Sequence, residues 1–321
     1  MKNREFHIAI IGAGLAGMTA AWRLQAAGIS CKLYDKSRGV GGRLATRRTR
    51  EGVRFDHGAQ YFTARSSEFQ RALKSTPWAG QVEPWTIDTS IGADGYVGAP
   101  TMKSPLKEAA RSLDIQLNAK VSRIERIGSK WRLSGEGLET PQDANIVIIS
   151  APAPQAYALV PFSDHLQANL SAVKYEPCWA LMVAFAQADN TSPMTLAPKN
   201  GVFSWIAKNS SKPGRDKSPE SWVAHAGPIW SEEHLECDKE DVAERLLPHL
   251  LAQIGAERTP IYVSTHRWRY ARVAEPAKKP FLTDETKTVF VIGDGCLGPR
   301  VECAFESGNK AADHILQLPK K

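Results

Sequence analysis

The chain has 321 residues, of which 42% are hydrophobic and 23% charged, and its formal net charge is +7. This length suits two domains, or one large domain with an insertion. No apolar run reaches the roughly 18 residues of a membrane-spanning helix, and the first residues lack the pattern of a signal peptide. We therefore expect a cytoplasmic protein that does not associate with membranes.

The basic and thiol-bearing side chains exclude further classes of protein. The lysines and arginines are dispersed and form no long stripe, which argues against nucleic-acid binding and suits an enzyme with phosphate-bearing ligands. The 5 cysteines form no CxxC pair, and the 8 histidines form no HxxxH cluster. We expect reduced thiols, no metal site and no obligate protein partner.

The first 35 residues show a β-α-β pattern around a glycine-rich loop. Residues 8–11 are apolar and lead into GAGLAG at 12–17, after which apolar residues recur at helical spacing up to Gly28. A second strand is predicted at 30–35 and ends with Asp35. This context predicts a bound dinucleotide, with its pyrophosphate at the helix N-terminus and Asp35 on the adenosine ribose.

A second glycine pair favours a flavin over a nicotinamide cofactor. Directly after Asp35, the segment RGVGGRLATR contains Gly41 and Gly42, whose backbone amides can approach a pyrophosphate closely, and Arg43, which can neutralise it. A nicotinamide-binding domain does not need this second group. The alternative interpretation is an ordinary flexible turn.

The segment VFVIGDG near the end of the chain is a second indication of a flavin. Asp294 follows a buried strand and lies between Gly293 and Gly295, where it can accept hydrogen bonds from ribityl hydroxyls. The helix behind it would direct its N-terminus at the N1/C2 edge of the flavin. Asp294 could instead serve only as the N-cap of that helix. Val121 is a weaker third indication, because its strand could pair with the adenine edge.

Further elements are predicted in the same α/β domain. A hairpin is expected over 121–134 with its turn at residues 128 and 129, and apolar strands at 144–150 and 289–292 suit a parallel sheet covered on both faces. The segment APAPQ after the first of these strands is predicted to continue neither helix nor strand. A helix with one apolar face follows the last strand.

Together these segments resemble the flavin-dependent amine oxidase superfamily. The likeness is carried by IIGAGLAG, Asp35, RGVGGR, VSRIER, ANIVIISAPAPQ, and VFVIGDG with VECAFESGNKAA. Within the superfamily, FDHGAQYFTA (55–64), FSWIAKNSSKPGR (203–215) and WVAHAGPIWSEEHLE (222–236) resemble the bacterial renalase-like proteins. The resemblance implies non-covalently bound FAD. It also implies an oxidase that takes hydride from 2- or 6-dihydropyridine isomers of NAD(P)H, releases NAD(P)+ and passes electrons to O2 to give hydrogen peroxide.

The resemblance implies an α/β fold with two domains. A discontinuous FAD-binding Rossmann domain of the glutathione-reductase type is expected at 1–63, 98–152 and 281–321. A mixed-sheet α+β substrate domain is expected at 64–97 and 153–280, in an architecture like that of p-hydroxybenzoate hydroxylase and the amine oxidases. The second domain is rich in tryptophan and in strand-like alternation.

Hydride loss from a dihydropyridine ring is driven by the ring nitrogen. The site therefore needs flat walls and a few groups that bind amides, and it needs no general base. The candidate substrate and catalytic residues are Tyr61, Trp205, His225, Arg267 and Trp268. The candidate FAD-binding residues are Gly12, Gly14, Leu15, Ala16, Gly17, Asp35, Lys36, Gly41, Gly42, Arg43, His57, Gly58, Ala59, Gln60, Val121, Gly293, Asp294 and Val301. For the aromatic residues and histidines, simple packing and structural hydrogen bonding are the alternatives.

The loop KNSSKPGRDK carries Lys208, Lys212, Arg215 and Lys217. These cations could clamp the phosphates of a dinucleotide substrate, although a solvated charged loop is the more common structure.

Two other functions remain open at this point. One is oxidation of a small amine by the bound flavin. Amine-oxidising relatives commonly carry a glutamate where Asp294 lies, followed by an aromatic residue, and GDGCLGPRVE offers no such aromatic. The other is a flavoprotein without catalysis, because a bound cofactor does not prove turnover. Cys296 is more consistent with a free thiol than with a covalent flavin link.

Overall fold

The computed structural model describes residues 6–75, 77–86, 95–189 and 194–319. The strands of this part of the chain are β1 (His7–Ile11), β2 (Ser30–Tyr34), β3 (Thr46–Arg48), β4 (Arg54–Asp56), β5 (Val82–Trp85), β6 (Gly95–Gly98), β7 (Asp114–Gln116), β8 (Lys120–Ile127), β9 (Lys130–Glu136), β10 (Gln142–Ala144), β11 (Ile146–Ile149), β12 (Lys174–Phe185), β13 (Thr195–Leu196), β14 (Phe203–Lys208), β15 (Glu220–Ala226), β16 (Tyr262–Glu275), β17 (Leu282–Thr283) and β18 (Val289–Val291). The helices are α1 (Leu15–Ala26), α2 (Ser67–Leu73), α3 (Ser104–Ala109), α4 (Ala153–Leu159), α5 (Asp164–Ser171), α6 (Pro228–Glu233), α7 (Lys239–Ile254), α8 (Asp294–Leu297) and α9 (Val301–Gln317).

Internal contacts divide the chain into two discontinuous units. The first unit comprises 1–42, 106–174 and 273–321, and the second comprises 43–105 and 175–272. These limits differ from the predicted 1–63, 98–152 and 281–321, because the β3–β4 hairpin packs on β15 of the second unit, while α4 and α5 pack on β8 and β17 of the first. Within the predicted substrate domain, residues 76, 87–94 and 190–193 lie outside the described part of the chain.

The first unit is built on a six-stranded sheet in the order β17-β18-β11-β1-β2-β7. Strands β18, β11, β1, β2 and β7 run parallel, and β17 is antiparallel at the edge. The central strands β1 and β11 are almost entirely buried, as the continuous apolar runs predict for a parallel sheet covered on both faces. The predicted strand-helix-strand start and the hairpin, observed as β8 and β9, are both confirmed.

Two features of the first unit differ from the prediction. Helix α4 begins within APAPQ, with Pro152 at its N-cap and a proline in its first turn. The first turn of a helix does not need the proline N–H, so this segment starts a helix instead of ending regular structure. The final helical region is also divided into α8 and α9, with Gly298 between them at φ 151°.

The second unit is built on a five-stranded sheet in the order β13-β14-β15-β12-β16. Apolar residues spaced by four along α7, from Val242 to Ile254, pack on one face together with alternate residues of β12 such as Leu181 and Val183. The intervening β12 residues, Met182 and Ala184, pack on the other face with Phe55. Strand β12 is therefore buried on both faces, although it pairs antiparallel with β15.

Three further features concern the thiols, the helices and the possible metal ligands. The five cysteines are all free. None of the described helices combines the length and apolar character required to cross a bilayer. The described ranges also contain no group of three or more histidine, cysteine or acidic side chains arranged to hold a metal ion.

Candidate functional site

The glycine-rich loop of the first unit connects β1 to α1, and two of its glycines lie in close contact with neighbouring backbone. Gly12 has φ 105°, and a Cβ atom there would overlap the carbonyl oxygen of Ser150 at the end of β11. A Cβ on Gly17, in the first turn of α1, would overlap the carbonyl oxygen of Gly12. Only glycine permits this tight path from strand to helix.

Gly14 differs from these two glycines, because an added Cβ would meet no atom within 4 Å. The residue is half-buried and is the N-cap of α1, and no side chain caps the helix there. The start of a 12-residue helix therefore faces open space, where its unpaired amides and dipole favour an anion. This arrangement fits the pyrophosphate of a dinucleotide. Leu15 and Ala16, which follow Gly14, are buried and anchor the helix.

Asp35 fixes the loop directly, which the sequence did not predict. Its Oδ2 accepts a hydrogen bond of 2.7 Å from the Ala13 amide, and its Oδ1 accepts one of 2.7 Å from the Ser37 amide. A carboxylate has about four acceptor positions, so both oxygens retain capacity for ribose hydroxyls. Lys36 next to it is exposed, with its Nζ 3.4 Å from the Gln155 side chain.

The second glycine pair lies against the first loop, as the cofactor interpretation requires. The Gly41 amide donates to the Ala13 carbonyl at 3.0 Å. A Cβ on Gly42 would lie 3.5 Å from the Gly14 Cα, and both residues of the pair have positive φ. The hydrogen bond between Gly41 and Ala13 thus joins the two glycine segments into one continuous backbone surface in the first unit.

The VFVIGDG segment only partly matches its prediction. Asp294 is buried at the end of β18, but it is the first residue of the four-residue α8, whose N-cap is Gly293. The closing helix α9 begins later, at Val301. The proposal that Asp294 caps that helix is therefore wrong, and so is the expectation that the helix starts directly behind it. Val121 is buried at an irregularity in the β8–β9 pairing.

The second unit contains a buried ionic cluster of Asp56, Lys212 and Arg215, which we call the Asp56 cluster. Their residues are 1%, 0% and 7% exposed. The Arg215 Nη2 lies 2.5 Å and the Lys212 Nζ 3.5 Å from the Asp56 Oδ2. The other Asp56 oxygen accepts from the Thr46 hydroxyl at 2.6 Å and from the Met102 amide at 3.0 Å.

The pKa values of the Asp56 cluster follow from these contacts. Burial acts to raise the pKa of Asp56, but the charges of Lys212 and Arg215 and the hydrogen bonds from Thr46 and Met102 outweigh it and lower the pKa to about 2. Burial and the charge of Arg215 lower the pKa of Lys212 to about 8, against the opposing effect of Asp56. Asp56 is therefore ionised at neutral pH.

This cluster corrects the prediction for the loop 208–217. Lys212 and Arg215 neither lie in a solvated loop nor stay available for a substrate phosphate, because both bind Asp56. Lys208 is also buried and pairs with Glu220 at 3.4 Å. The Lys217 ammonium donates to the Ser210 carbonyl at 3.2 Å. Three of the four cations thus fold inward onto carboxylates, whereas the Lys217 side chain is exposed.

Gln60 connects the Asp56 cluster to the histidines. Its Oε1 lies 3.2 Å from the Lys212 Nζ, and its Nε2 donates to the carbonyls of Asp56 and Gly58, the latter at 3.1 Å. The same Nε2 lies 3.4 Å from the His225 Nε2. These contacts hold the backbone turn that carries residues 56–60.

The same turn lies against Arg43. The Ala59 amide donates to the Arg43 carbonyl at 2.9 Å, and a Cβ on Gly58 would overlap that carbonyl oxygen. The Arg43 guanidinium donates to the Ala271 carbonyl at 3.2 Å. The second unit thus brings together five of the predicted FAD-binding residues: Arg43, His57, Gly58, Ala59 and Gln60. Their role in binding FAD stays a prediction.

Three histidines and a tryptophan form what we call the imidazole cluster: His57, His225, His266 and Trp268. The His57 ring stacks on Trp268 with centroids 5.2 Å apart and meets the His266 ring edge-on at 4.7 Å. The His57 carbonyl accepts from the Trp268 indole at 2.9 Å and lies 3.3 Å from the His225 Nε2. His266 belongs to this cluster, although it was not among the candidate site residues.

The imidazole cluster is uncharged at neutral pH. Burial, with a smaller contribution from Arg47, lowers the pKa of His57 to about 4. Burial also lowers the pKa of His225 to about 4 and, together with the neighbouring His57, that of His266 to about 3. The three rings therefore present neutral donors and acceptors and no positive charge.

The other predicted wall residues fall into two groups. Tyr61 and Trp205 lie next to each other, with ring centroids 5.3 Å apart and ring planes inclined by 40°, and their role as walls stays a prediction. Arg267 faces away from Trp268, because alternate side chains of strand β16 face opposite sides. Its guanidinium binds Glu236 at 3.1 Å and lies over the Trp179 ring. The structure thus does not bring Arg267 to the imidazole cluster that contains Trp268.

Comparison with known proteins covers both units. Residues 10–76 match the NAD(P)-binding Rossmann-like domain, and residues 91–316 match flavin containing amine oxidoreductase. A relative, 3-amino-4-hydroxybenzoate 2-monooxygenase from Streptomyces cremeus, is 30% identical over 114 residues. That alignment covers 35% of this chain and only 25% of the relative, so the chain matches about a quarter of that enzyme.

Solved structures with the same fold include several oxidases. A protein from Exiguobacterium sp. 255-15, provisionally named protoporphyrinogen oxidase, superposes with a TM-score of 0.79 over 97% of this chain and 98% of its own, at 11% identity. Putrescine oxidase gives 0.72 over 98% and 99% of the two chains, at 12% identity. Cyclohexylamine oxidase from Brevibacterium oxydans IH-35A gives 0.68 over 97% and 99%, at 14% identity. These likenesses confirm the predicted fold class.

The open space at Gly14 yields a first prediction. Replacing Gly14 by alanine leaves the fold stable, because the new methyl group meets no protein atom, but it reduces the flavin content of the purified protein by about tenfold, because the cofactor needs that space. Flavin absorbance per protein and the thermal unfolding temperature measure the two effects.

Gly227→Ala is the matched control, since its added Cβ would make one ordinary contact of 3.6 Å with the Val202 carbonyl. It should retain both flavin and stability. Full flavin content in the Gly14→Ala protein would contradict the assignment of this space to the cofactor.

The Asp56 cluster yields a second prediction. Asp56→Asn destabilises the protein at pH 7 by about 3–5 kcal/mol, because two buried cations lose their anion. The contribution of Asp56 is complete above its unfolded pKa of 3.8 and is lost as the pH falls through its folded pKa of about 2. The stability difference between wild type and variant therefore narrows by about 2 kcal/mol between pH 4 and pH 2. Urea unfolding at several pH values measures it.

Asp143→Asn serves as the control, because Asp143 forms a half-exposed ion pair with Arg132. It should cost less than about 1 kcal/mol. An Asp56→Asn protein as stable as this control at pH 7 would show that the cluster does not hold the second unit together.

Proposed function

The chain belongs to the flavin-containing amine oxidoreductase family, and we propose that it is a renalase-like oxidase of dihydropyridine isomers of NAD(P)H. In this proposal the flavin is non-covalently bound FAD, and the substrates are the 2- and 6-dihydro isomers. The products are NAD(P)+ and, with O2, hydrogen peroxide. The residues 55–64, 203–215 and 222–236 support the renalase-like assignment by their resemblance.

The observation that carries the proposal is the charge of the polar groups in the second unit. The three imidazoles are neutral, and the Asp56 carboxylate is bound by two cations. Among the contacts described for these groups, no carboxylate remains to attract an ammonium. This arrangement of charges disfavours a protonated amine, and it suits an uncharged dihydropyridine carboxamide on a substrate that carries phosphates.

The residues of the first unit would hold the cofactor. Gly12, Gly14 and Gly41 present backbone to a pyrophosphate, and Asp35 offers acceptors to a ribose. When bound, the flavin supplies a hydride acceptor and, once reduced, two electrons for O2. Cys296 is a poor candidate for a covalent link, because burial raises the pKa of its thiol to about 12.

The residues of the second unit would bind and orient the substrate. The Tyr61 and Trp205 rings, inclined to each other by 40°, would offer aromatic faces to the dihydropyridine and exclude water from the reacting carbon. Neutral imidazoles can hydrogen-bond a carboxamide without being titrated near pH 7. Since the ring nitrogen drives hydride loss, these residues need only position the donor carbon.

Oxidation of a small amine is the second candidate, and two observations favour it. The fold is shared with putrescine oxidase and cyclohexylamine oxidase, and the Tyr61–Trp205 pair would also suit an unprotonated amine held between aromatic rings. The absence of a free carboxylate among the described contacts of the imidazole cluster weighs against a cationic substrate.

Anaerobic flavin reduction separates these candidates. We expect the 2- and 6-dihydro isomers to bleach the flavin at least about a hundredfold faster than NADH, putrescine or cyclohexylamine. In the proposal, the site orients the isomers for hydride transfer and offers no negative charge to bind an ammonium group. Stopped-flow absorbance measures the rates. Faster bleaching by an amine would overturn the proposal in favour of the second candidate.

A matched pair of variants tests the role of the aromatic wall. Trp205→Leu should lower the reduction rate by the isomers about tenfold. Arg269→Gln, on β16 and bound to Glu236 at 2.6 Å, should leave it unchanged. Equal rates in the two variants would remove Trp205 from the substrate site.

A further inference from the structure

The charges of the Asp56 cluster do not balance. One carboxylate faces two cations, and the Arg215 Nη2 at 2.5 Å already neutralises it. Lys212 is therefore a surplus buried cation, which costs free energy without being needed for neutrality. Its Nζ also lies closer to the Gln60 Oε1, at 3.2 Å, than to the Asp56 Oδ2, at 3.5 Å. This geometry directs attention to Gln60.

The contacts of Gln60 define the orientation of its amide. Its Oε1 faces an ammonium, which only donates, and its Nε2 faces the carbonyls of Asp56 and Gly58, which only accept. The opposite orientation would place like groups against each other at both ends. Both amide hydrogens are used by the two carbonyls, and the oxygen is used by Lys212, so the side chain is completely satisfied.

The orientation of Gln60 determines the hydrogen bonds of its neighbours. Since Gln60 has no further hydrogen for His225, the His225 Nε2–H donates to the His57 carbonyl at 3.3 Å. The Trp268 indole donates to the same carbonyl at 2.9 Å. The Gln60 amide thus holds the backbone turn on which the imidazole cluster is hydrogen-bonded.

We propose that Lys212 is a positioning residue, which holds the Gln60 amide in one orientation and thereby fixes the turn 56–60 and the imidazole cluster bonded to it. The effect of Lys212 on turnover rests on the function proposed above, whereas its effect on the turn does not. Lys212 acts through Gln60 and needs no contact with the substrate.

A second buried cluster provides the matched control. Glu220 is bound by Lys208 at 3.4 Å and also by Arg258, so it too combines one buried carboxylate with two cations. Lys208 belongs to the same segment as Lys212, but its second contact is the Asp189 carbonyl, at 2.5 Å, instead of a glutamine. Lys208→Met therefore reproduces the loss of a buried cation without touching Gln60.

Hydrogen exchange of the indole N–H groups tests the proposal without requiring activity. In Lys212→Met, the Trp268 indole N–H should exchange about tenfold faster than in wild type, because the His57 carbonyl that binds it loses its support. The Trp179 indole, which donates to the His234 carbonyl at 3.0 Å, should keep its rate. Lys208→Met should leave Trp268 unchanged, and Lys212→Arg, which retains a charged donor, should restore its protection.

Two results would overturn the proposal. One is equal acceleration of Trp268 and Trp179 in Lys212→Met, which would indicate a loss of global stability. The other is that Lys212→Met accelerates exchange of the Trp268 indole N–H equally in the wild-type and Gln60→Met backgrounds. A residue that acts through Gln60 should have no effect once Gln60 is replaced. Should Lys212→Met fail to fold, Lys212→Gln supplies an uncharged donor of shorter reach, and the same comparison applies to it.

The rate of flavin reduction by the dihydro isomers provides the functional arm. We expect Lys212→Met to lower this rate about tenfold in the wild-type background and less than about twofold in the Gln60→Met background. In one possible outcome, Lys212→Met accelerates exchange at Trp268 alone, but the isomers do not reduce the flavin of the wild-type protein. That outcome would refute the proposed function and leave the positioning role intact. Rapid reduction in wild type with unchanged exchange in Lys212→Met would refute the positioning role alone.

Discussion

The second unit depends on the burial of one carboxylate. Asp56 ends strand β4, and no water is needed to satisfy it because Thr46, Met102, Lys212 and Arg215 supply its hydrogen bonds and counter-charges. A carboxylate without these partners could not stay ionised in such a place. Three parts of the chain therefore have to converge on Asp56: strand β3 with Thr46, the segment with Met102, and the loop after β14 with Lys212 and Arg215. This requirement brings that loop against the β3–β4 hairpin.

The imidazole cluster of this unit is neutral because it is buried, and nearby cations add to the effect of burial. Lys212, one of the two cations that hold Asp56, also lowers the pKa of His225, and Arg47 has the same effect on the pKa values of His57 and His266. Burial adds to this effect and dominates it. The result is a set of imidazoles that stay uncharged across the physiological pH range, next to a buried cluster whose net charge is positive. The contacts described for these two clusters thus leave no carboxylate without a cation beside it.

Local patterns predicted the first unit well, because its features depend on neighbours in sequence. The β1–α1–β2 start, the β8–β9 hairpin and the apolar strands β11 and β18 each follow from periodicity and turn residues within a short window. The Asp35 contact with the Ala13 amide could also have been expected from the loop geometry. The interruption between α8 and α9 was missed, although Gly298 and the following proline are typical signals of such a break.

The second unit was harder to predict, because its charged residues are satisfied by partners far along the chain. A loop that contains lysine, arginine, glycine and proline is normally solvated, and no local pattern distinguishes Lys212 from a surface lysine. The useful signal was Asp56 itself, an acidic residue directly after Phe55 at the buried end of β4, where an ionised carboxylate requires cations from elsewhere. The pairing of Tyr61 with Trp205 likewise depends on the sheet and not on the spacing of the two residues.

The division of the chain has a consequence for biosynthesis. The polypeptide passes between the two units four times, at 42/43, 105/106, 174/175 and 272/273, and β18 pairs with β11 across about 140 residues of intervening sequence. On the ribosome, β11 emerges long before its neighbour, so its hydrogen-bonding edge stays open while the whole second segment of the other unit is made. Folding of this sheet is therefore completed late in synthesis, and until then β11 pairs with β1 alone and its other edge is open to non-native pairing.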